Sequence, residues 1–343
     1  PSQQNWQPYN SLKRPGQMRA QSYQTMAHGA DTIQFFQLRR SVGGCEKFHG
    51  AVIAHAGTEN TRVFREVKQL GEELEKLSNV IPGTVNEAEV GVIFDWDNYW
   101  ALEYTSGPSI SLKYVDQIHR YYRYFYDHNM GVTMIPVDAD FYNYKMLVAP
   151  VLYMVKPGMK EALEKYVKNG GILVTTYMSG IVGESDNVYL GGYPGPLKEM
   201  AGIWVEEIDA LAPEQYNIVT FKDGSQSKCK IVCDLMHLEG AEALGEYAED
   251  FYYIGSCMEV VGTDKILTMA AEDARVNPVA ENGNGLEIVK RNGKEKSFYF
   301  VMNFKDEDLK IPEEFAGKMD LLSGNAVEKG EMLPKFGVKI LEE

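Results

Sequence analysis

Three features of the chain predict an α/β protein of several domains. Short apolar runs alternate with helical patterns through its middle, a strand-like run empties into a glycine-rich loop near its start, and two alternating runs meet at an Asn-Gly turn near its end. At 343 residues the chain exceeds one typical core and suits two or three domains.

Residues 1–10 read as loop, and Pro15-Gly16 opens a helix over Gln17 to His28, with proline at a position that suits a first turn. Asp31–Leu38 reads as a strand, Arg39–Gly50 as a glycine-rich loop carrying Glu46 and His49, and Ala51–Ala54 as a short strand-like segment. The next helix is marked by Val63, Val67, Leu70, Leu74 and Leu77 at three- and four-residue steps, with Asn60 or Thr61 as its cap. Residues 1–78 therefore resemble about two units of a (β/α)8 barrel, whose strand-to-helix loops form the catalytic face, and eight are needed for closure. The apolar stripe of the second helix must pack against something outside the sequence or against a neighbouring domain.

After Pro82-Gly83 the pattern changes. The apolar strands Val90–Phe94, Val132–Val137, Met146–Pro150 and Ile172–Thr176 are joined by helices over 109–129 and 157–168, the latter stopped by Asn169-Gly170-Gly171. Continuous apolar strands joined by helices imply a parallel sheet covered on both faces, so residues 79–285 are expected to be a flavodoxin-like doubly wound domain, turning strand-rich after Trp204. Residues 286–343 read as a small antiparallel β domain, with Leu286–Lys290 and Ser297–Val301 facing each other across Asn292-Gly293.

A net charge of −15 disfavours nucleic acid, which must be met by clustered Lys and Arg, and no basic run is present. No apolar run reaches the roughly 18 to 20 residues of a membrane span. Cys45, Cys229, Cys233 and Cys257 are too scattered for a disulfide framework or a zinc site, so reduced thiols in a cytoplasm are expected. No metal and no cofactor are expected; the residues after the first parallel strand, Asp95, Trp96, Asp97, Asn98 and Trp100, stand where an open parallel sheet binds ligands but lack a glycine-rich phosphate loop.

The blocks Asn5–Asn10, Arg14–Met18, Ala27–Asp31, Glu46–Val52, Thr61–Val67, Gly192–Gly195 and His237–Leu244 stand in the order found in the bacterial β-galactosidases of glycoside hydrolase family 42, which the chain resembles over nearly its whole length. That resemblance implies a catalytic barrel, a flavodoxin-like trimerisation domain and a small C-terminal β domain, and hence a homotrimer acting on β-galactosides. It also implies that the nucleophilic glutamate lies just upstream of Pro1 and the acid/base glutamate earlier still, so no catalytic residue is expected in this chain. A retaining glycosidase needs both carboxyl groups, about 5 to 5.5 Å apart. The stretch between Tyr253 and Pro278 is shorter than the family pattern.

By the same resemblance Trp6 lines the galactose site, and Glu46 and His49 hydrogen-bond galactose hydroxyls. The residue chemistry agrees: an indole face stacks on the C–H face of a sugar, a carboxylate accepts from two hydroxyls, and a neutral imidazole donates to one. The structural alternatives are a rim tryptophan and a loop-bracing ion pair of Glu46 with Lys47 or Arg39. His28 and His55 are expected to be structural, Cys45 a small filler, and the Asp95–Trp100 loops to face neighbouring subunits or the active-site mouth. A glutamine amidotransferase is excluded, because no cysteine lies between Cys45 and Cys229 and no histidine between His128 and His237. A non-catalytic module that trimerises through 79–285 is the remaining rival.

Overall fold

The computed structural model describes residues 6–248, 257–258 and 260–343. The chain divides into two compact units, one joining the residues up to Glu87 with Pro278–Glu343 and the other spanning Ala88–Asn277. The family of layers is the α/β one expected.

The first unit opens with helices α1 (Gln17–Ala27) and α2 (Arg62–Leu77). Thr61 settles the cap of α2, its hydroxyl accepting from the Phe64 N–H at 3.3 Å. Between the helices the expected strand Asp31–Leu38 is not formed as such. Among the described residues its backbone pairs only at its end, where Val52 N–H donates to Gln37 O, Ile53 N–H to Leu38 O and Arg40 N–H to Ile53 O, making a parallel bridge of Arg39 with Ile53. The physical reason is that a strand is defined by its neighbours, and a barrel strand needs one on each side.

The second unit is built on the parallel strands β1 (Val90–Ile93), β2 (Val132–Ile135), β3 (Met146–Ala149) and β4 (Ile172–Thr175), in the order β2-β1-β3-β4. Its helices are α3 (Trp96–Tyr104), α4 (Tyr114–Asp127), α5 (Met159–Lys168), the short α6 (Lys198–Ala201) and α7 (Val260–Asp273). Alternate strand residues feed two cores. Val90, Val92 and Val148 pack with Leu102, Ile118, Phe125 and Leu267 on one face, while Ile93, Leu147 and Ala149 pack with Met159, Leu163 and Tyr166 on the other. Two helical covers on one parallel sheet are the doubly wound arrangement. The helix expected over 109–129 is present as α4, beginning at Tyr114, and α3 before it is a helix that the sequence did not mark. The strands β5 (Ile203–Ala210), β6 (Asn217–Phe221), β7 (Gln226–Leu238) and β8 (Gly245–Tyr247) form an antiparallel sheet ordered β5-β7-β6-β8, with β9 (Cys257–Met258) also paired to β7. Cys229 on β7 is disulfide-bonded, against the expectation of reduced thiols, whereas Cys45 and Cys233 are free.

The chain then returns to the first unit with β10 (Glu287–Asn292), β11 (Ser297–Met302), β12 (Leu309–Lys310), β13 (Met332–Leu333) and β14 (Val338–Glu342). The expected hairpin is present as β10 and β11, with Asn292 paired to Ser297 and Gly293 N–H bonded to Lys296 O at 2.9 Å. The sheet β10-β11-β14 is buried on both faces. Ile288, Val301 and Leu341 point to a core with Phe315, Val327 and Leu333, and their neighbours Val289, Phe300 and Ile340 point to Tyr23, Leu70, Leu77 and Ile81. The stripe of α2 thus finds its cover in the C-terminal strands, each fully buried large apolar side chain contributing roughly 1.5–3 kcal/mol.

Polar clamps fix that packing. Buried Glu73 accepts from Arg19 Nε at 2.7 Å, Tyr23 OH at 2.8 Å and Gln69 Nε2 at 2.9 Å, joining α1 to α2. Burial, and then the Glu73 charge, push the Tyr23 hydroxyl pKa well above its ordinary value, so it stays a donor. Glu287 on β10 accepts from Gln24 Nε2 at 2.7 Å and pairs with His28 Nε2 at 2.8 Å, giving His28 the structural role expected for it.

Candidate functional site

The loop Ser41–Gly50 is closed at its base by the Arg39–Ile53 bridge and braced across its neck by His55 Nε2 on Ser41 O at 2.8 Å. Within it, His49 N–H donates to Glu46 O at 2.9 Å, a turn that brings the two residues expected to touch sugar to one place. Both are half-buried. Among the described residues Glu46 pairs with neither Lys47 nor Arg39, so its carboxylate retains its accepting capacity. The His49 ring packs edge-on against Phe36, with centroids 5.2 Å apart.

His49 also borders a cavity of about 450 Å³ lined by Lys13, Gln21, Ser22, Gln34, Phe35 and Phe36, among others. Partial burial pushes the Lys13 ammonium pKa down from the ordinary lysine value. The cavity mixes donors, acceptors and ring faces, the inventory from which hydroxyl-rich ligands are gripped. Trp6 is 70 % exposed and has φ of 74°, in the left-handed region. A backbone turn joins two of the three expected residues, Glu46 and His49, and Trp6 lies outside that turn. Cys45 is exposed in the same loop.

The residues 1–77 match the family model described as β-galactosidase, 88–272 the β-galactosidase trimerisation domain, and 285–343 the β-galactosidase C-terminal domain. The chain belongs to the β-galactosidases of glycoside hydrolase family 42. This family 42 chain is 46 % identical to a β-galactosidase of Lactobacillus acidophilus, over 96 % of its own length and 52 % of that protein. It is also 46 % identical to one from a Planococcus species, over 99 % of its length and 54 % of the relative. Among solved structures, a β-galactosidase from Bacillus circulans sp. alkalophilus superposes with a TM-score of 0.95 at 45 % identity, covering all of this chain and 54 % of that one. A family 42 enzyme from G. stearothermophilus gives 0.92 at 35 % identity, covering 52 % of that chain. The family 42 chain therefore spans about half the length of the curated relatives it matches.

The second unit of this family 42 chain holds one cation that the sequence did not single out, Lys156, against two carboxylates that it did. Lys156 donates to Asp95 at 2.8 Å and to Asp97 at 2.6 Å. Burial opposes its charge, but the two hydrogen bonds outweigh it and hold its pKa above the ordinary lysine value. The signal in the sequence was Asp95 itself, a helix cap whose carboxylate accepts from Asn98 N–H and whose second oxygen is left for a cation. Among the described residues no cluster of His, Cys, Asp and Glu is arranged to hold a metal, and no helix is long and apolar enough to cross a membrane.

Proposed function

We propose that the protein to which this chain belongs is a retaining exo-β-galactosidase, a homotrimer that removes terminal β-D-galactosyl groups. In this reading residues 1–78 contribute Trp6, Glu46 and His49 to the galactose pocket, 79–285 carry the trimer contacts and 286–343 form the accessory β domain. Neither catalytic glutamate belongs to these three parts. The observation that supports the reading is the backbone turn that joins Glu46 to His49 in a loop closed at its base, with the Glu46 carboxylate in no ion pair among the described residues, inside the stretch matching the β-galactosidase model. A carboxylate spent on Lys47 or Arg39 would have been a brace; left unpaired, it suits two sugar hydroxyls. Such a pair rejects isomeric sugars by leaving a buried partner unsatisfied. A cytoplasmic location belongs to the same reading; the free thiols of Cys45 and Cys233 support it and the bonded Cys229 weighs against it.

The test is Glu46→Gln in the full-length enzyme. Hydrogen bonds to sugar hydroxyls strengthen as the oxocarbenium forms, so kcat/KM on an aryl β-galactoside should fall by an amount equivalent to about 2 to 4 kcal/mol. An unchanged kcat/KM removes Glu46 from the pocket. The rival assembly module is tested on this chain alone: turnover of the aryl galactoside without the upstream residues contradicts the assignment of both glutamates elsewhere.

A further inference from the structure

The second unit carries a cleft of about 440 Å³ at the edge from which β3 and β4 set out. Tyr144 and Lys145 lead into β3, Gly170 and Gly171 lead into β4, and Asp273 to Arg275, where α7 ends, complete the border. Tyr166 lies against the backbone of Gly171, where an added Cβ would stand 2.2 Å from the ring, and its hydroxyl donates to Tyr144 O at 3.2 Å. Tyr142 is held twice from the α5 end: its hydroxyl accepts from Asn169 Nδ2 at 3.2 Å, and the Lys165 ammonium sits 5.5 Å from its ring centroid. The Tyr142 side is still 51 % exposed. Rings fixed by their neighbours before a ligand arrives lose little freedom on binding it.

The groups left open decide what the cleft takes. Lys145 is already engaged, pairing with Glu89 and donating to Arg275 O at 3.0 Å. Helices α5 and α7 both end at the cleft, and the partial negative charge of two helix C-termini disfavours an anion there. A metal ion is disfavoured as well, since among the described residues no group of His, Cys, Asp and Glu is gathered to hold one. Among the described residues the Arg275 guanidinium, the Asp273 carboxylate and the Tyr144 hydroxyl take part in no hydrogen bond or ion pair. A guanidinium donates, a carboxylate accepts from two hydroxyls and a phenol does both, while tyrosine faces suit the C–H face of a sugar ring. One cation and one anion two residues apart leave no net charge for a ligand to answer, so the set suits an uncharged molecule rich in hydroxyls.

We propose that this cleft is a saccharide-binding site of the second unit, taking an uncharged oligosaccharide. Arg275 and Asp273 hold ring hydroxyls, and Tyr142 and Tyr144 supply the ring faces against which the sugar lies. The volume falls among small-molecule sites, which run from roughly 300 to 1,000 Å³. The inference goes beyond the galactosidase reading: none of these residues belongs to the stretch 1–78, and the cleft stands whether or not Glu46 touches galactose.

The experiment is hydrogen exchange read by mass spectrometry on this chain, titrated with β-1,4-galactotetraose and with cellotetraose. The expected result is slowed exchange, with at least one of the two, in peptides covering 140–147 and 268–277. Two variants follow: Arg275→Asn, because asparagine tolerates the left-handed φ of 55° at that position, and Asp273→Ala. Both side chains are exposed, and circular dichroism establishes that each variant keeps the parent fold. Each should weaken saccharide binding about tenfold or more, as loss of a charged hydrogen bond does. Variants that bind like the parent overturn the proposal, and so does an absence of protection by either saccharide. Protection confined to peptides covering 41–55 overturns this cleft and leaves the galactose pocket standing, whereas a Glu46→Gln enzyme of unchanged activity sinks that pocket without touching the cleft. Cleft peptides protected by inorganic phosphate and by neither saccharide assign the site to an anion, also overturning the proposal.

Discussion

Replacing Arg291 with methionine should destabilise the first unit by about 3 kcal/mol, and the structure says where that energy resides. Arg291 lies on β10 with its side chain fully buried. Its guanidinium donates to Met26 O at 2.6 Å and Ala30 O at 3.0 Å, to Thr84 O, and to Asp31 Oδ1 at 2.9 Å. One side chain thus ties the end of α1 and the segment after α2 to the C-terminal sheet. In Arg291→Met the Met26 and Thr84 carbonyls stay buried without this donor, each at about 1–3 kcal/mol, and Ala30 O is partly buried. Asp31 costs little, since its side chain is 48 % exposed and water replaces the guanidinium. Against the loss stands relief from burying a cation whose Nε has no acceptor. The net of about 3 kcal/mol corresponds to roughly hundredfold faster exchange of amides that open with the unit. Hydrogen exchange read by mass spectrometry on peptides covering 17–27 and 287–302 measures it. Arg291→Lys should recover less than half, because an ammonium keeps the charge but not the planar fork that reaches carbonyls on two segments. A change under about 0.5 kcal/mol, or equal losses in the two variants, would refute the clamp.

Other outcomes follow from single groups. Asn98→Ala should destabilise the second unit by about 2 to 3 kcal/mol in urea unfolding followed by tryptophan fluorescence, because Val151 O and Met154 N–H both lose their buried partner. Cys45 is exposed and Cys233 buried, with burial foremost pushing the Cys233 thiol up to about 11. An aromatic disulfide reagent at pH 8 should therefore label Cys45 in the native chain and reach Cys233 only on unfolding; comparable native rates at both would contradict that burial. Hydrogen bonding to Lys290 holds the Glu343 carboxyl down at about 2. A depressed folded pKa gives stability that is present above the ordinary carboxylate pKa and lost as pH falls from about 4.5 towards 2, so melting temperature should drop across that window less steeply in Glu343→Gln than in the parent.

The elements legible in the sequence are those whose burial pattern is local. Helix α2 shows its stripe and its cap, and the parallel strands show unbroken apolar runs because both faces are covered. Helix α3 was missed for a physical reason: Trp96, Trp100 and Tyr104 face out while an asparagine joins Ala101 and Leu102 on the inner face, so the periodicity that normally marks a buried face is blurred. Arg291 reads as a polar residue near the end of a hairpin strand. Nothing nearby shows that its acceptors lie more than two hundred positions earlier in the chain. Asp31–Leu38 fails in the opposite direction: its composition suits a strand, and what is lacking is a neighbour. For the site, the turn joining Glu46 and His49 follows from three-residue spacing, but the expectation that they meet galactose came from the order of sequence blocks, which geometry alone does not supply.

That division bears on how the proposed pocket is held. The loop carrying Glu46 and His49 is not anchored by a ladder along Asp31–Leu38, which pairs only at its end. Its base is set by the Arg39–Ile53 bridge, and the chain on either side runs into α1 and α2, both packed on the β10-β11-β14 sheet. Glu73 fastens the helices to each other, and Glu287 and Arg291 fasten α1 to the sheet. The C-terminal strands therefore do more than append a domain. They provide the apolar surface and the buried charges against which the two helices hold their spacing, and a sugar-binding pair displaced by 1 Å loses much of its worth. On this argument the Arg291 clamp, remote in sequence from Glu46, supports the geometry of the loop through α1, and a variant that loosens it should raise KM for the galactoside before it lowers kcat.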